Sequence, residues 1–244
     1  MKDEENNKAA EGDKVGSDRA TVRAVDRAFD LLGCFSAEQK TITLTEAARA
    51  VELPLSTVSR LLGTLEASQF VRRLPDGRYM PGGRLLRIGV VALHGVELYD
   101  SSQEYLERLA KLTGESANLA VPTEDNKGLY IRQVPSIHTV RHDNWIGRSI
   151  PMVGTAMGAA LRGEVGKRGY ALQSTTLEPD VTAIAAPIFG PDGQIVAAIS
   201  VTAPSYRVND TFIEWTGENL VREAREMSRN LGASEGLSKG RLKT

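Results

Sequence analysis

Leu85, Leu86, Ile88, Val90, Val91, Ala92, Leu93 and Val96 fall around nearly the full circumference of a helix, and a helix with no polar side must be covered from several directions. The residues between 19 and 84 are too few to wrap it, so its expected cover is a second subunit; an ordinary intramolecular core helix is the alternative. Whatever else the chain forms has to be arranged on either side of this connector. The 244 residues allow one large domain or two modest ones. A hydrophobic share of 41% with 25% charged residues excludes a chain disordered throughout. Cys34 is the one cysteine, which excludes an internal disulfide and a cysteine zinc cage and points to a reducing cytoplasm. Residues 1–18 lack the apolar core of a signal peptide, and no run approaches the roughly 18 apolar residues of a membrane span. The expectation is a cytoplasmic protein with no membrane partner.

Charge is unevenly spread. Residues 1–18 hold three Lys against six Asp+Glu and read as a disordered tail, whereas residues 19–94 hold eleven Lys+Arg against seven Asp+Glu. An excess of positive charge in the front module suits contact with a polyanion. There, Val22, Val25, Phe29 and Leu32 recur at helical spacing towards Gly33, with Cys34 and Phe35 beside that end and Cys34 read as structural. Thr43-Leu44-Thr45-Glu46 is a capping box, and Leu44, Ala47, Ala48 and Val51 supply the apolar side of a second helix. Pro54 opens a third, since a first-turn residue needs no N–H donor.

On that third helix Val58, Leu61, Leu62 and Leu65 share one face. Ser56, Arg60 and Gly63 project from the other, flanked by Thr57, Ser59 and Thr64. Short hydroxyl side chains let a helix approach a phosphate backbone and base edges closely, and an arginine reaches the O6 and N7 of a guanine. After Gln69, Val71–Leu74, the turn Pro75-Asp76-Gly77 and Arg78–Met80 read as a basic hairpin. Helix, short turn, helix and hairpin make a winged helix-turn-helix over 19–82, with Thr43, Ser56, Thr57, Ser59, Arg60, Thr64 and Arg78 as candidate DNA contacts.

The second module follows the linker helix, 83–97. A helix over Ser101–Leu112 precedes strands at Ser116–Val121 and Leu129–Val134. Pro187–Phe189 and Gln194–Thr202 form a hairpin around Gly190-Pro191-Asp192-Gly193. Thr211-Phe212-Ile213-Glu214 reads as the capping box of a last helix with the stripe Ile213, Leu220, Ala224, Met227 and Leu231. Strands flanked by helices over 98–233 give an α+β domain, followed by a flexible tail, 234–244. Alternation along Ile195–Thr202 places Ile195, Ala197, Ile199 and Val201 on one face and Val196, Ala198, Ser200 and Thr202 on the other. Two hydroxyls about 7 Å apart among small residues can line a ligand cavity or simply be satisfied under a loop.

Val22–Phe35, Thr43–Val51, Leu53–Leu62 and Asp76–Tyr79 resemble the DNA-binding domain of IclR-type bacterial transcriptional regulators. Gly114–Val121, Gly169-Tyr170, Ala183–Pro187 and Ala197–Val201 are similar to that family's effector domain, so that the resemblance covers about residues 20–232. It implies a GAF-like effector domain and dimers, or tetramers, on paired half-sites of double-stranded DNA. It further implies an effector pocket using Ser200 and Thr202 together with the loop-to-helix start Gly154-Thr155-Ala156-Met157-Gly158, whose N–H groups suit a carboxylate. Gln173 and Ala183 stand at positions where relatives carry acidic or other polar side chains, and Arg162–Arg168 is shorter than the family's connection, so the effector's identity does not carry over. The reading is a nucleoid-associated, ligand-responsive repressor of a catabolic operon, with a small organic or aromatic acid as effector and no cofactor.

Two other classes remain alternatives. An enzyme needs a nucleophile and base, and Gly154–Gly158 has the outline of a nucleophile elbow with Ala156 at its centre. His138 and His142 on an extended segment stand about 13 Å apart, too far to share a metal at bonds of about 2.1 Å. An architectural DNA-binding protein without ligand is the third reading.

Overall fold

The computed structural model describes residues 22–95, 98–174 and 179–234. The expected tail at 1–18, Val96, and all of the expected tail at 234–244 except its first residue lie outside them.

The front module begins with α1 (Arg23–Gly33), α2 (Leu44–Ala50) and α3 (Leu55–Ala67), followed by β1 (Val71–Arg73) and β2 (Tyr79–Pro81). α2 starts where its capping box requires: the Thr43 hydroxyl accepts from the Glu46 N–H, and the Glu46 carboxylate accepts from the Thr43 N–H. Between α2 and α3, Glu52 takes the left-handed conformation (φ 52°), and Pro54 is the N-cap of α3. Val58, Leu62 and Leu65 then turn inward to join Leu31, Ile42, Ala47, Ala48, Val71 and Tyr79 in one core. The hairpin closes through Gly77 at φ 85°, which a side chain would resist, and Ile42 pairs with Tyr79 beside it. Leu31 is the fully buried residue of α1, whereas Val22, Val25 and Phe29 of the expected apolar stripe are exposed. Cys34 packs at the edge of the core, its thiol donating to the Asp30 carbonyl, and burial raises its pKa.

α4 (Gly83–His94) is the connector, and in the single chain much of its apolar surface is uncovered: Leu86, Ile88, Val90 and Val91 are exposed, whereas Leu85 is half-buried and Leu93 packs against the core of the second module. It leads to α5 (Leu98–Thr113), β3 (Ser116–Pro122), β4 (Lys127–Val134), β5 (Ser149–Pro151), α6 (Ala156–Leu161), β6 (Ala171–Ser174), β7 (Val181–Phe189), β8 (Ile195–Pro204), a 3-10 turn (Ser205–Arg207) and α7 (Asp210–Asn230). The six strands form one antiparallel sheet in the order β5-β4-β3-β8-β7-β6. α5 and α7 cover one face, packing Leu106, Leu109, Leu220 and Met227 against Leu119, Ile184, Ile188 and Ile199. α6 and the segments on either side of β5 cover the other, packing Trp145, Met152, Ala156 and Met157 against Ala120, Tyr130, Ala185 and Ala198. Among the described residues no helix is long and apolar enough to cross a membrane.

Three local expectations are corrected. The cap of α7 is Asn209, whose side chain accepts from the Phe212 N–H, so the helix starts before Thr211; asparagine at an extended position satisfies the same orphan donors two residues earlier. β5 and β6 are edge strands too short and mixed to show alternation, and β7 begins at Val181, six residues before the expected strand. Ile195 packs with the α6 face rather than with Ala197 and Ile199, because the register between β7 and β8 slips at Ile188/Phe189 and the extra residue reverses the alternation there.

Candidate functional site

Two surfaces carry chemistry. The first is the outer side of α3. Burial of Val58, Leu62 and Leu65 fixes the helix's rotation, and with it Ser56, Ser59, Arg60, Gly63 and Thr64 are exposed and Thr57 is half-buried. The Thr64 hydroxyl donates back to the Arg60 carbonyl at 3.1 Å, leaving its methyl and the Arg60 guanidinium as the forward groups. The Thr43 hydroxyl is occupied in the capping box, donating to Glu46 Oε2 at 3.0 Å, so its one proton is already committed and the cap would have to open before it could donate to a phosphate. The Thr43 backbone N–H and that hydroxyl, both donating to the Glu46 carboxylate, hold its pKa below the ordinary carboxylate range. On the wing, Arg72 and Arg73 are exposed on β1, and the Arg73 guanidinium lies 5.8 Å from the Tyr79 ring centroid. Arg78 is half-buried; its N–H donates to the Asp76 carboxylate. Arg72 and Arg73 belong with the candidate set although their spacing alone did not distinguish them.

The second surface is the face of the large sheet that α6 only partly covers. Cross-strand register decides who meets whom there. Ser116, Thr202, Ala183 and Gln173 are successive partners across β3, β8, β7 and β6, forming one row. Gln133, Asn118, Ser200, Ala185 and Ala171 form the next. Three expected residues, Thr202, Ala183 and Gln173, thus share a line, with Ser200 beside it. Asn118, fully buried, joins the two hydroxyls: its amide donates to Thr202 Oγ1 at 3.2 Å and lies 3.5 Å from Ser200 Oγ. Asn118 and Gln133 were missed because one amide in an apolar strand looks incidental until its partners across the ladder are known.

The start of α6 is built differently from the expectation. Thr155 is its N-cap, accepting from the Gly158 N–H at 2.9 Å and donating to the Pro151 carbonyl at 2.8 Å. Gly158 has no side chain because a Cβ would stand 2.2 Å from the Met152 carbonyl oxygen. Ala156 and Met157 are buried in the apolar cluster, and Gly154 turns outside it at φ 80°.

Over the polar rows runs the loop 136–148. Gln133 anchors it, accepting from the Trp145 N–H at 2.7 Å. Trp145 is buried against Tyr130, their centroids 5.2 Å apart, and His142 stacks on Trp145 at 4.2 Å. His142 Nε2 is hydrogen-bonded to Thr202 Oγ1. The loop's base is held by a buried ion pair, Arg207 Nε to Glu115 Oε1 at 2.6 Å and Nη2 to Oε2 at 3.0 Å, with Nη2 also donating to the Val140 carbonyl. That pairing raises the Arg207 pKa further above its ordinary value. At the loop's far end Arg148 lies 5.4 Å from the Trp145 ring and 3.5 Å from Glu38 of the front module. Among the described residues no group of three or more His, Cys, Asp or Glu side chains could hold a metal ion.

Comparison with known proteins matches residues 24–75 to the IclR helix-turn-helix domain, and residues 90–163 and 163–229 to the bacterial transcriptional regulator IclR C-terminal domain. Among curated relatives, the HTH-type transcriptional regulator BhcR of Paracoccus denitrificans is 29% identical over 86% of this chain and 88% of its own. The transcriptional repressor IclR of Escherichia coli is 25% identical over 85% and 89%. Among solved structures, an IclR homolog complexed with 4-hydroxybenzoate from Microbacterium hydrocarbonoxydans superposes with a TM-score of 0.71 at 22% identity, covering 86% of this chain and all of that one.

Proposed function

This chain belongs to the IclR family of bacterial transcriptional regulators and is a ligand-responsive DNA-binding regulator, and from that premise we propose which surfaces read DNA and effector. The winged helix-turn-helix, 19–82, inserts α3 into the major groove, with Ser56, Thr57, Ser59 and Arg60 towards base edges and Arg78 towards backbone, while Thr43 and Thr64 lie alongside as packing contacts, their hydroxyl protons committed to Glu46 and the Arg60 carbonyl. The observation that carries this reading is the outward rotation of the hydroxyl-rich side of α3, which the buried Val58, Leu62 and Leu65 enforce. The domain over 98–233 binds the effector against Ser200, Thr202, Ala183 and Gln173, with Gly154, Thr155, Ala156 and Met157 closing the apolar end. The protein is a cytoplasmic, nucleoid-associated homodimer that represses a catabolic operon. Its effector is an organic acid, by analogy with the relative complexed with 4-hydroxybenzoate. Curated relatives are named as transcriptional regulators, which disfavours the enzyme reading.

The effector acts only through a difference in its affinity for two arrangements of the DNA-reading heads. Two links are available to transmit it: the linker helix α4, and the contact of Arg148 with Glu38 at the end of the loop that covers Thr202. The test is Arg60→Ala against an operator selected from a random-sequence pool. A bidentate guanine contact is worth about 1–3 kcal/mol, so fluorescence anisotropy should show a roughly ten- to hundred-fold loss on the selected operator and little change on random DNA. Equal losses on both would remove Arg60 from base reading.

A further inference from the structure

His142 sits on the effector face as a ligand would. Its ring lies against Trp145 with centroids 4.2 Å apart and planes 28° from parallel, an aromatic stack on a buried surface. Nδ1 is 2.8 Å from the Asp143 carbonyl oxygen, which only accepts, so Nδ1 carries the proton. In the neutral ring Nε2 is then an acceptor, and the Thr202 hydroxyl donates to it while accepting from the Asn118 amide. Beside this pair Asn118 Oδ1 is buried without a partner among the described residues. On its other side His142 forms a wall of an open groove of about 430 Å³, shared with Gln133, Thr139, Arg141 and Asn144. The imidazole therefore separates that groove from Thr202.

We propose that His142 is a resident stand-in for the effector, and that the effector is a planar aromatic or heteroaromatic ring with a hydrogen-bond acceptor on its edge. It enters from the groove, displaces the imidazole from Trp145, and takes the Thr202 hydroxyl in its place; a donor beside the acceptor satisfies Asn118 Oδ1 as well. This rests on the assignment of Ser200 and Thr202 to the effector pocket. An internal competitor lowers apparent affinity by the fraction of time it vacates the site, so the parent protein binds such rings more weakly than its pocket alone would.

Tryptophan fluorescence of the full chain in a Trp215→Phe background isolates Trp145. The probes are imidazole, benzoate and cyclohexanecarboxylate at pH 8, where imidazole is neutral. His142→Ala should bind imidazole and benzoate at least ten-fold more tightly than the parent, and benzoate at least ten-fold more tightly than the saturated acid. Adding Thr202→Val should abolish the gain. His142→Phe keeps a ring on Trp145 without an acceptor for Thr202, and should bind the probes no better than the parent. Equal affinities in His142→Ala and parent, or equal affinities for planar and saturated acids, overturn the proposal. Should Ser200→Val and Thr202→Val weaken benzoate binding while His142→Ala changes nothing, the pocket assignment survives and the stand-in does not. A gain in His142→Ala that ignores both hydroxyl variants overturns both.

Discussion

Gly63 occupies the middle of α3, where glycine costs about 0.5–1 kcal/mol relative to alanine, and a Cβ there would meet nothing within 4 Å. Nothing among the described residues explains the cost, and the proposed approach of α3 to a duplex would. Gly63→Ala should raise the melting temperature by a few degrees and yet weaken operator binding, as calorimetry and anisotropy on one preparation would show. Unchanged DNA affinity would place Gly63 away from the duplex. Glu115 poses the opposite problem: its side chain is 3% exposed, and Arg207 donates to both oxygens at 2.6 and 3.0 Å, against a longer bond of 3.4 Å from the Ser136 hydroxyl and an approach of 3.9 Å by His138 Nε2. Arg207→Ala strands a buried carboxylate and should destabilise the effector domain by about 3 kcal/mol in urea unfolding, whereas Glu115→Leu with Arg207→Met should recover most of the loss. A single variant as stable as the parent would mean that water reaches Glu115 freely.

α2 begins at a capping box whose carboxylate titrates low. A carboxyl whose folded pKa lies below its unfolded value contributes stability above the unfolded pKa, near about 4.3, and loses it as pH falls through the folded one. Glu46→Ala should therefore melt below the parent at pH 7, and the gap should narrow as pH drops under about 4. A pH-independent gap would assign the effect to helix propensity rather than to the charged cap. In the sheet, the slip at Ile188/Phe189 matters in a similar way, because it moves Ile195 to the α6 face and leaves Ser200 and Thr202 beyond it on the open rows. Elements here set the site by phase: the rotation of α3 exposes its hydroxyls, and the register of β8 lines Thr202 up with Ala183 and Gln173.

Across the whole molecule, the connector is the unfinished part. Leu86 and Val91 of α4 are 68% and 73% exposed in the single chain, and Val22, just before α1, and Phe29 of α1 are 66% and 63% exposed. Apolar exposure on that scale in the linker supports cover by a second copy. Val91→Glu removes no intramolecular contact of the core and should shift the protein from dimer towards a 26.4 kDa monomer in light scattering. A parent protein that is already a monomer of that mass would overturn the homodimer. The same substitution should weaken operator binding, since two half-sites are held by one protein only while the heads are joined.

The sequence by itself determined the elements whose signals are local: the capping box at Thr43, the proline before α3, the Gly77 turn, the apolar stripes of α3 and α7 and the alternation that put Ser200 and Thr202 on one face. Each needs only a helix or strand period and a few neighbours along the chain. It misplaced the α7 cap, where two signals two residues apart competed, and lost phase at Ile195, where a bulge at the neighbouring Val196, set by pairing with β7, governs. Only the tertiary structure decided that Asn118 and Gln133 join the hydroxyls, that His142 and Trp145 close over them, and that Glu115 meets Arg207. Those contacts join residues from about ten to ninety positions apart in sequence, and the free energy that selects them comes from burying partners together, which no local pattern records.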